Sequence, residues 1–506
     1  MGKWLLDLPL IVVLMGIGAA SMLLPAMHAA VVSDYATARS FFYASLLFLV
    51  LFAFVAVATS NRGSERPGRG HLVALVATFT VLPAMLAVPF YEAVGATRFL
   101  NSYIEMVSSL TTTGASLFEP ARLAPTVHLW RAQVGWMGGF FVWVMAVAVL
   151  APLNLGGFEV RSSSEIGRGA EAMTQQVARA GDTSDRLKRH AMQLLPIYAG
   201  LTGALWISLI LAGDTPLVAL CHAMSTLSTS GISPVGGVTG SASGVGGEAL
   251  VLLFLVFALT RLTYAREERP EGWQSLPRDP ELRMAVAIIC AVSVVLFLRH
   301  WAGAFEVEDE RDIDIGLRAF WGGLFTVASF LTTTGFESGS WEIARVWSGL
   351  EAPGLILMGL AVFGGGVGTT AGGVKLLRVY ALYVHGRREV DKLVHPSSVG
   401  GSGVVGRQLR RQGAYVSWIF FMLFAMSIAL VMGLLALTGQ NFEDALLLTI
   451  ASLSTTGPLL DVAAEAPVRL DLLPDTAKMI FAAAMVIGRL ETLAIIALLN
   501  PDLWRS

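Results

Sequence analysis

Four short stretches of this 506-residue chain end alike. They read Ser108-Ser109-Leu110-Thr111-Thr112-Thr113-Gly114, Ser225-Thr226-Leu227-Ser228-Thr229-Ser230-Gly231, Ser329-Phe330-Leu331-Thr332-Thr333-Thr334-Gly335 and Ala451-Ser452-Leu453-Ser454-Thr455-Thr456-Gly457. Each has Leu four residues before its glycine and a hydroxyl side chain at all three positions between them. The apolar runs leading into them, 99–110, 215–227, 317–331 and 442–453, are too short to cross a bilayer core, which takes roughly 20 apolar residues as a helix. Thr97, Asp214, Asp314 and Asn441 stand at the head of these runs as candidate N-caps. A self-similar unit at a fixed period constrains the fold more than any local propensity does.

Longer apolar runs flank every copy. They cover 8–30, 41–59, 71–91, 129–153, 192–212, 248–263, 284–301, 347–376, 414–437 and 477–499. The first has no clean small-x-small cleavage site, so it reads as a helix rather than a removable leader. Only 14% of the residues are charged and 55% are hydrophobic, against about 25% charged in soluble domains. The chain therefore reads as an integral membrane protein. A net charge of −2 excludes a nucleic-acid binder built on a basic patch. Cys221 and Cys290 sit in apolar runs with no metal or redox spacing, and the eight histidines form no HExxH-like pair.

With the amino terminus inside and ten alternating spans, most of the 35 Lys and Arg fall on the inner side. The positive-inside rule then puts both termini in the cytoplasm. The short runs become half-helices entering from outside, a form tolerated only where protein, water or ions meet the backbone. Each would aim its negative C-terminal end at the midplane. Ser or Thr followed by Gly is also an ordinary helix stop, but four copies in one topological slot favour a shared task. Four glycine-ended loops around one axis can present a ring of backbone carbonyls that replaces the hydration shell of a monovalent cation, with the hydroxyls wetting the path.

The expected fold is thus an all-α membrane protein of four covalently linked span–pore-helix–loop–span repeats around one pseudo-fourfold pore. An N-terminal two-helix segment occupies 1–67, and the repeats occupy 68–180, 181–275, 276–400 and 401–506. The candidate cation ligands are Thr112, Thr113, Gly114, Thr229, Ser230, Gly231, Thr333, Thr334, Gly335, Thr455, Thr456 and Gly457. A second cluster, Gly364, Gly365, Gly366, Gly368, Thr369, Thr370, Gly372 and Gly373, breaks the last span of repeat three. Glycines at this density unwind a helix, at roughly 1 kcal/mol each relative to alanine, and place a flexible loop under the filter. Close helix packing is the competing use, but these glycines occupy all faces. A GxGxxG/A match at Gly366 to Ala371 lacks any βαβ setting and carries no dinucleotide reading. Arg489 is the one basic residue inside a span: it either raises a barrier to cations in the pore or pairs with Glu491 at a helix end. Lys375 reads as inner surface. The acidic loop from Glu306 to Asp314 reads as solvated, with a capacity to concentrate cations.

These motifs resemble the Trk/Ktr/HKT superfamily of potassium transporters, in its TrkH-type branch. The resemblance rests on Leu331 to Phe336, on Gly364 to Lys375 and on Gly488-Arg489-Leu490-Glu491, and it extends over essentially the whole chain. It implies potassium selectivity where all four filters carry glycine, as here at Gly114, and sodium passage where the first is serine. It also implies an intramembrane gate at the glycine cluster, a pore arginine at Arg489, a homodimer in a bacterial-type inner membrane, and a TrkA-type cytosolic nucleotide-binding regulatory subunit. The chain departs from the family at Thr455-Thr456, where Asn-Asn is frequent, and at Ser230, where Gly is frequent. Both departures would loosen discrimination among potassium, rubidium and sodium. Alternatives are a symporter coupled to H+ or Na+, for which Glu105, Glu248 and Glu491 are the candidate acids, and a less selective K+/Na+ pathway. No convergent His, Asp or Ser set on the spans supports an enzyme, and a passive scaffold gives no reason for four such loops.

Overall fold

The computed structural model describes residues 8–59, 67–150, 183–260, 279–303, 313–350, 352–395, 411–464 and 466–490, and no strand occurs among them. A leading segment comprises α1 (Leu10–Ser21), α2 (Leu23–Val31) and α3 (Tyr35–Thr59). The first unit contains α4 (Pro67–Thr80), α5 (Leu82–Val94), α6 (Phe99–Leu110) and α7 (Pro125–Met145). In the second are α8 (Thr183–Leu211), α9 (Pro216–Ser228) and α10 (Gly244–Leu259). The third holds α11 (Pro280–Gly303), α12 (Ile313–Leu331), α13 (Trp341–Ser348), α14 (Gly354–Phe363) and α15 (Leu376–Val394). The last comprises α16 (Arg411–Leu437), α17 (Phe442–Leu453), α18 (Leu459–Val462) and α19 (Asp475–Leu490).

Among the described residues, six stretches are long and apolar enough to cross a membrane: 10–31, 35–59, 73–94, 186–211, 280–299 and 413–437. They are the two leading spans and the first span of every unit. The second spans expected at 129–153, 248–263 and 477–499 run on beyond the described residues, and among those residues Gly244–Leu259 and Gly354–Phe363 are apolar helices too short for that measure. The second span of the first unit packs within the protein, where polar side chains can be satisfied. In α7, His128, Arg131 and Gln133 are all buried, so Arg489 is not the one basic residue inside a span. The run expected at 347–376 is not one span: it holds the end of α13, all of α14 and a non-helical loop. Beyond α7 the backbone passes into a π-helical turn at Ala146–Leu150.

The packing is cyclic. Each short helix (α6, α9, α12, α17) lies against the first span of its own unit: α5, α8, α11 and α16 respectively. Each also lies against the second span of the unit before it. Thus α9 packs on α7, α12 on α10, α17 on α14, and α6 closes the circle on α19. The leading segment packs outside the first unit, with α2 on α7 and α3 on α5. Hydrogen bonds between helices fasten it, from Gln133 Nε2 to the Ser21 carbonyl at 2.9 Å and between His28 Nδ1 and Thr126 Oγ1 at 2.8 Å.

Of the four expected caps, only Asn441 acts as one, its side chain accepting from the Asp444 N–H at 2.7 Å. The α6 cap position is Arg98, one residue past Thr97. Asp214 is buried and accepts instead from the Ser243 N–H and hydroxyl, at 2.9 and 3.0 Å. Asp314 lies inside the first turn of α12, which begins four residues earlier than the apolar run, and pairs with Arg318 at 2.9 Å. Glu491, the acidic loop up to Asp312, and the boundaries at 180/181, 275/276 and 400/401 lie outside the described residues.

Candidate functional site

The four short helices end in one geometry. Thr112, Thr229, Thr333 and Thr455, each two residues before its glycine, have φ of 56°, 52°, 58° and 54°. A β-branched residue there is a conformational outlier, costing on the order of 1–3 kcal/mol. In every copy the following N–H reaches back to close a six-residue turn: Thr113 to Ser108 O, Ser230 to Ser225 O, Thr334 to Ser329 O and Thr456 to Ala451 O, at 2.8–3.0 Å. The left-handed threonine itself donates three residues back, as Thr112 does to Ser109 O at 3.0 Å. This is a Schellman stop with threonine where glycine ordinarily sits. The helix stop and the signature glycine are therefore separate features, two residues apart.

The hydroxyls divide by position. Those three and one before the glycine pair with each other: Thr111 with Thr113 at 2.8 Å, Ser228 with Ser230 at 3.0 Å, Thr332 with Thr334 at 3.1 Å and Ser454 with Thr456 at 3.2 Å. Among the left-handed threonines, Thr229 Oγ1 donates to the Ser228 carbonyl at 2.7 Å. Thr112 Oγ1 and Thr455 Oγ1 are buried without a hydrogen-bond partner, and Thr333 Oγ1 accepts from the Gly372 N–H at 2.7 Å.

Beyond the helix stops the segments meet in a closed order. A Cβ on Gly114 would overlap the carbonyl oxygen of Ser230, and one on Gly231 would overlap that of Thr334. A Cβ on Gly335 would come within 2.9 Å of the Pro458 ring, and one on Gly457 within 2.6 Å of the Thr113 carbonyl. Each unit thus closes on the glycine of the unit before it, and the fourth is closed by the first. The contacts of the fourth unit differ in kind. Pro458 replaces a carbonyl, and Gly457 is the one signature glycine outside the left-handed region, where Gly114, Gly231 and Gly335 have φ of 75°, 65° and 80°. A residue before proline is restricted to extended backbone, which accounts for the difference.

The glycine-rich loop between α14 and α15 lies against this ring. Thr370 Oγ1 donates to the Leu227 carbonyl of the second unit at 3.0 Å, and the Gly372 N–H donates to Thr333 of the third. A Cβ on Gly372 would overlap the Ser454 carbonyl and Thr455 Oγ1 of the fourth. The loop is held from behind as well: Gly366 N–H to Ala258 O and Val367 N–H to Glu281 Oε1, both at 3.0 Å, and Thr369 Oγ1 to Gly366 O at 2.7 Å. Gly364 and Gly373 press together where its two ends meet, and Gly365 packs on Ala258 while Gly368 takes φ of 68°. Lys375 is not at the surface as expected. It is buried at φ 82°, and its ammonium donates to the Ala371 carbonyl inside the loop.

Arg489 is buried at the end of α19, next to Gly488, whose Cα packs on the Leu453 carbonyl. Two acids are fully engaged. Glu105 pairs with Arg131 at 2.6 Å, and Glu248 accepts from Trp321, Ser338 and Gly339 at 2.6–2.7 Å. Glu281 and Pro458 were missed by sequence reasoning. Pro458 directly after the fourth glycine was the readable sign that this unit differs.

A family model for TrkH, described as a cation transport protein, matches residues 278–503. The "Trk system potassium uptake protein TrkH" of Salmonella typhimurium is 28% identical over 493 residues, covering 96% of each chain. The Escherichia coli protein of the same name is 29% identical, covering 88% of each. In structure, the potassium transporter TrkH from Vibrio parahaemolyticus aligns with a TM-score of 0.82 at 25% identity, over 99% of this chain and all of that one. Matched model, end-to-end relatives and shared fold all point one way: along its length the chain is similar to TrkH-type potassium transport proteins.

Proposed function

We propose that the chain carries potassium into the cell across the cytoplasmic membrane, through a filter formed by its four glycine-ended segments. The observation that supports this most is the closed contact order of Gly114, Gly231, Gly335 and Gly457. Four backbone segments meeting at one place suit a desolvated monovalent cation, because carbonyl oxygens substitute for its hydration shell. Left-handed Thr112, Thr229, Thr333 and Thr455 turn the chain out of each helix toward that place. The paired hydroxyls at Thr113, Ser230, Thr334 and Thr456 hold the segments in shape. Thr112 and Thr455 supply buried oxygens unclaimed within the described chain.

In the same reading the loop containing Gly364, Gly365, Gly366, Gly368, Thr369, Thr370, Gly372 and Gly373 is the gate, docked on three of the four units from the cytoplasmic side. Arg489 adds a positive barrier to cations there, since a charge at membrane depth faces a bundle interior or an aqueous cavity. The termini are cytoplasmic. The working assembly is a homodimer in a bacterial-type inner membrane, regulated by a TrkA-type nucleotide-binding subunit on the basic inner face. The name "Trk system" in the relatives supports a multi-component arrangement.

One observation favours a second reading, a filter of relaxed K+/Na+ discrimination: Pro458 stands where Gly335 meets the fourth unit, and Gly457 lies outside the left-handed region. Potassium uptake into proteoliposomes of the purified chain, with sodium as competitor, separates the two. Potassium entry that excess sodium barely slows supports a selective filter. Equal competition supports the relaxed one, and absence of cation flux refutes both.

A further inference from the structure

A shared position lies behind the signature segments, nine residues before each glycine. In the first unit it is Glu105, fully buried, whose Oε2 accepts from the Leu117 N–H at 2.9 Å while Oε1 faces Arg131. The second unit has His222, with Nε2 lying 2.8 Å from Ser233 Oγ. Thr326 takes the place in the third, and its Oγ1 accepts from the Ser338 N–H at 3.2 Å. Leu117, Ser233 and Ser338 stand two or three residues past Gly114, Gly231 and Gly335. Three chemically unrelated side chains at one helical position thus grip the same part of the outgoing strand.

The fourth unit has Leu448 there, which has no polar atom. Its outgoing strand needs no grip, because Pro458 starts the helical turn α18 and the backbone satisfies itself: the Leu460 N–H donates to Gly457 O and the Asp461 N–H to Pro458 O, at 3.0 and 3.1 Å. Substitution of one device by another, in the only unit lacking a polar side chain at that position, separates this pattern from ordinary saturation of buried polar groups.

We propose that Glu105, His222 and Thr326 are positioning residues that set the spacing of the filter, by fixing the outer end of each strand whose inner end is fixed by the helix stop. The proposal rests on the filter reading given above. A strand held at both ends keeps its carbonyls at a fixed radius. One released at the outer end can contract around a smaller ion, so the measurable consequence is sodium admission rather than loss of transport.

The test measures the ratio of sodium to potassium uptake in proteoliposomes of the full chain. Thr326→Val keeps shape and removes the acceptor, whereas Thr326→Ser keeps the acceptor. The valine variant is expected to raise the ratio about fivefold, and the serine variant to restore the parent value. Gly335→Ser serves as the filter control. If it shifts the ratio while Thr326→Val does not, the positioning role is overturned and the filter reading stands. If neither shifts it, the filter reading falls and takes the proposal with it. Should Thr326→Val fail to reach the membrane, Ser233→Ala decides in the same way, because it removes the partner of His222 from a loop outside the short helix.

Discussion

The Gly457 N–H donates to the Thr113 carbonyl at 2.6 Å, joining the fourth unit to the first. Its neighbours in the ring are not equally tight, which grades the effect of adding a side chain. Gly114→Ser forces a Cβ onto the Ser230 backbone oxygen at φ 75°, whereas Gly335→Ser meets the Pro458 ring at 2.9 Å. Both are expected to admit sodium. Gly114→Ser is further expected to cut potassium uptake by about tenfold or more, since neighbouring backbone cannot move aside cheaply. Uptake kinetics with rubidium and sodium as competitors check the order; equal effects of the two would contradict it.

Thr112 tests the balance between strain and use. Its left-handed backbone favours glycine, and its hydroxyl has no partner within the described chain. Thr112→Gly is therefore expected to raise or hold thermal stability, by up to about 1 kcal/mol, while lowering potassium uptake. A detergent-phase melting curve paired with a flux assay reads both. Loss of stability with intact flux would show the hydroxyl to be structural.

The loop contact of Thr370 with the Leu227 carbonyl is a single buried neutral hydrogen bond, worth about 1 kcal/mol. Removing it by Thr370→Val should shift a closed-to-open balance roughly fivefold, seen as raised basal flux without the regulatory subunit. Arg489→Ala should raise basal flux as well, and Arg489→Lys should not. Flux unchanged in both Thr370→Val and Arg489→Ala would remove the loop and the arginine from gating.

Asn441 is the single side-chain cap among the short helices whose expected cap forms. Asn441→Ala should cost about 1 kcal/mol of stability and leave the sodium-to-potassium ratio alone, because the cap lies at the end of α17 remote from Gly457. A shifted ratio would show that the fourth short helix transmits strain along its length.

Much of this arrangement is legible from residue pattern. Two short helices, Phe99–Leu110 and Phe442–Leu453, have the bounds that hydrophobic run length predicts, because an apolar run of that length between polar breaks has no other helix to join. The broken backbone at Gly364 to Gly373 is equally readable from glycine density. The inward spans are harder. A helix enclosed by protein no longer needs an apolar surface on every side, so α7 can hold Arg131 and His128 and is less apolar than the lipid-facing spans. The left-handed threonines leave no sign at all, since threonine is disfavoured there and only the surrounding turn enforces it. Lys375 misleads for a related reason: a lysine at the end of an apolar run ordinarily marks an interface with water, but here its ammonium is spent on a carbonyl of its own loop.

Because the ring closes within one polypeptide, its quarters are free to differ, and they do: glutamate, histidine, threonine and leucine occupy one equivalent place. In an assembly of four identical subunits every substitution strikes four times over, and most outcomes are all or nothing. Here a single codon change alters one side of the ring and leaves three standing. If the ring is the filter proposed above, ion preference in such a chain can drift in small steps, each survivable, along a route closed to a symmetric assembly.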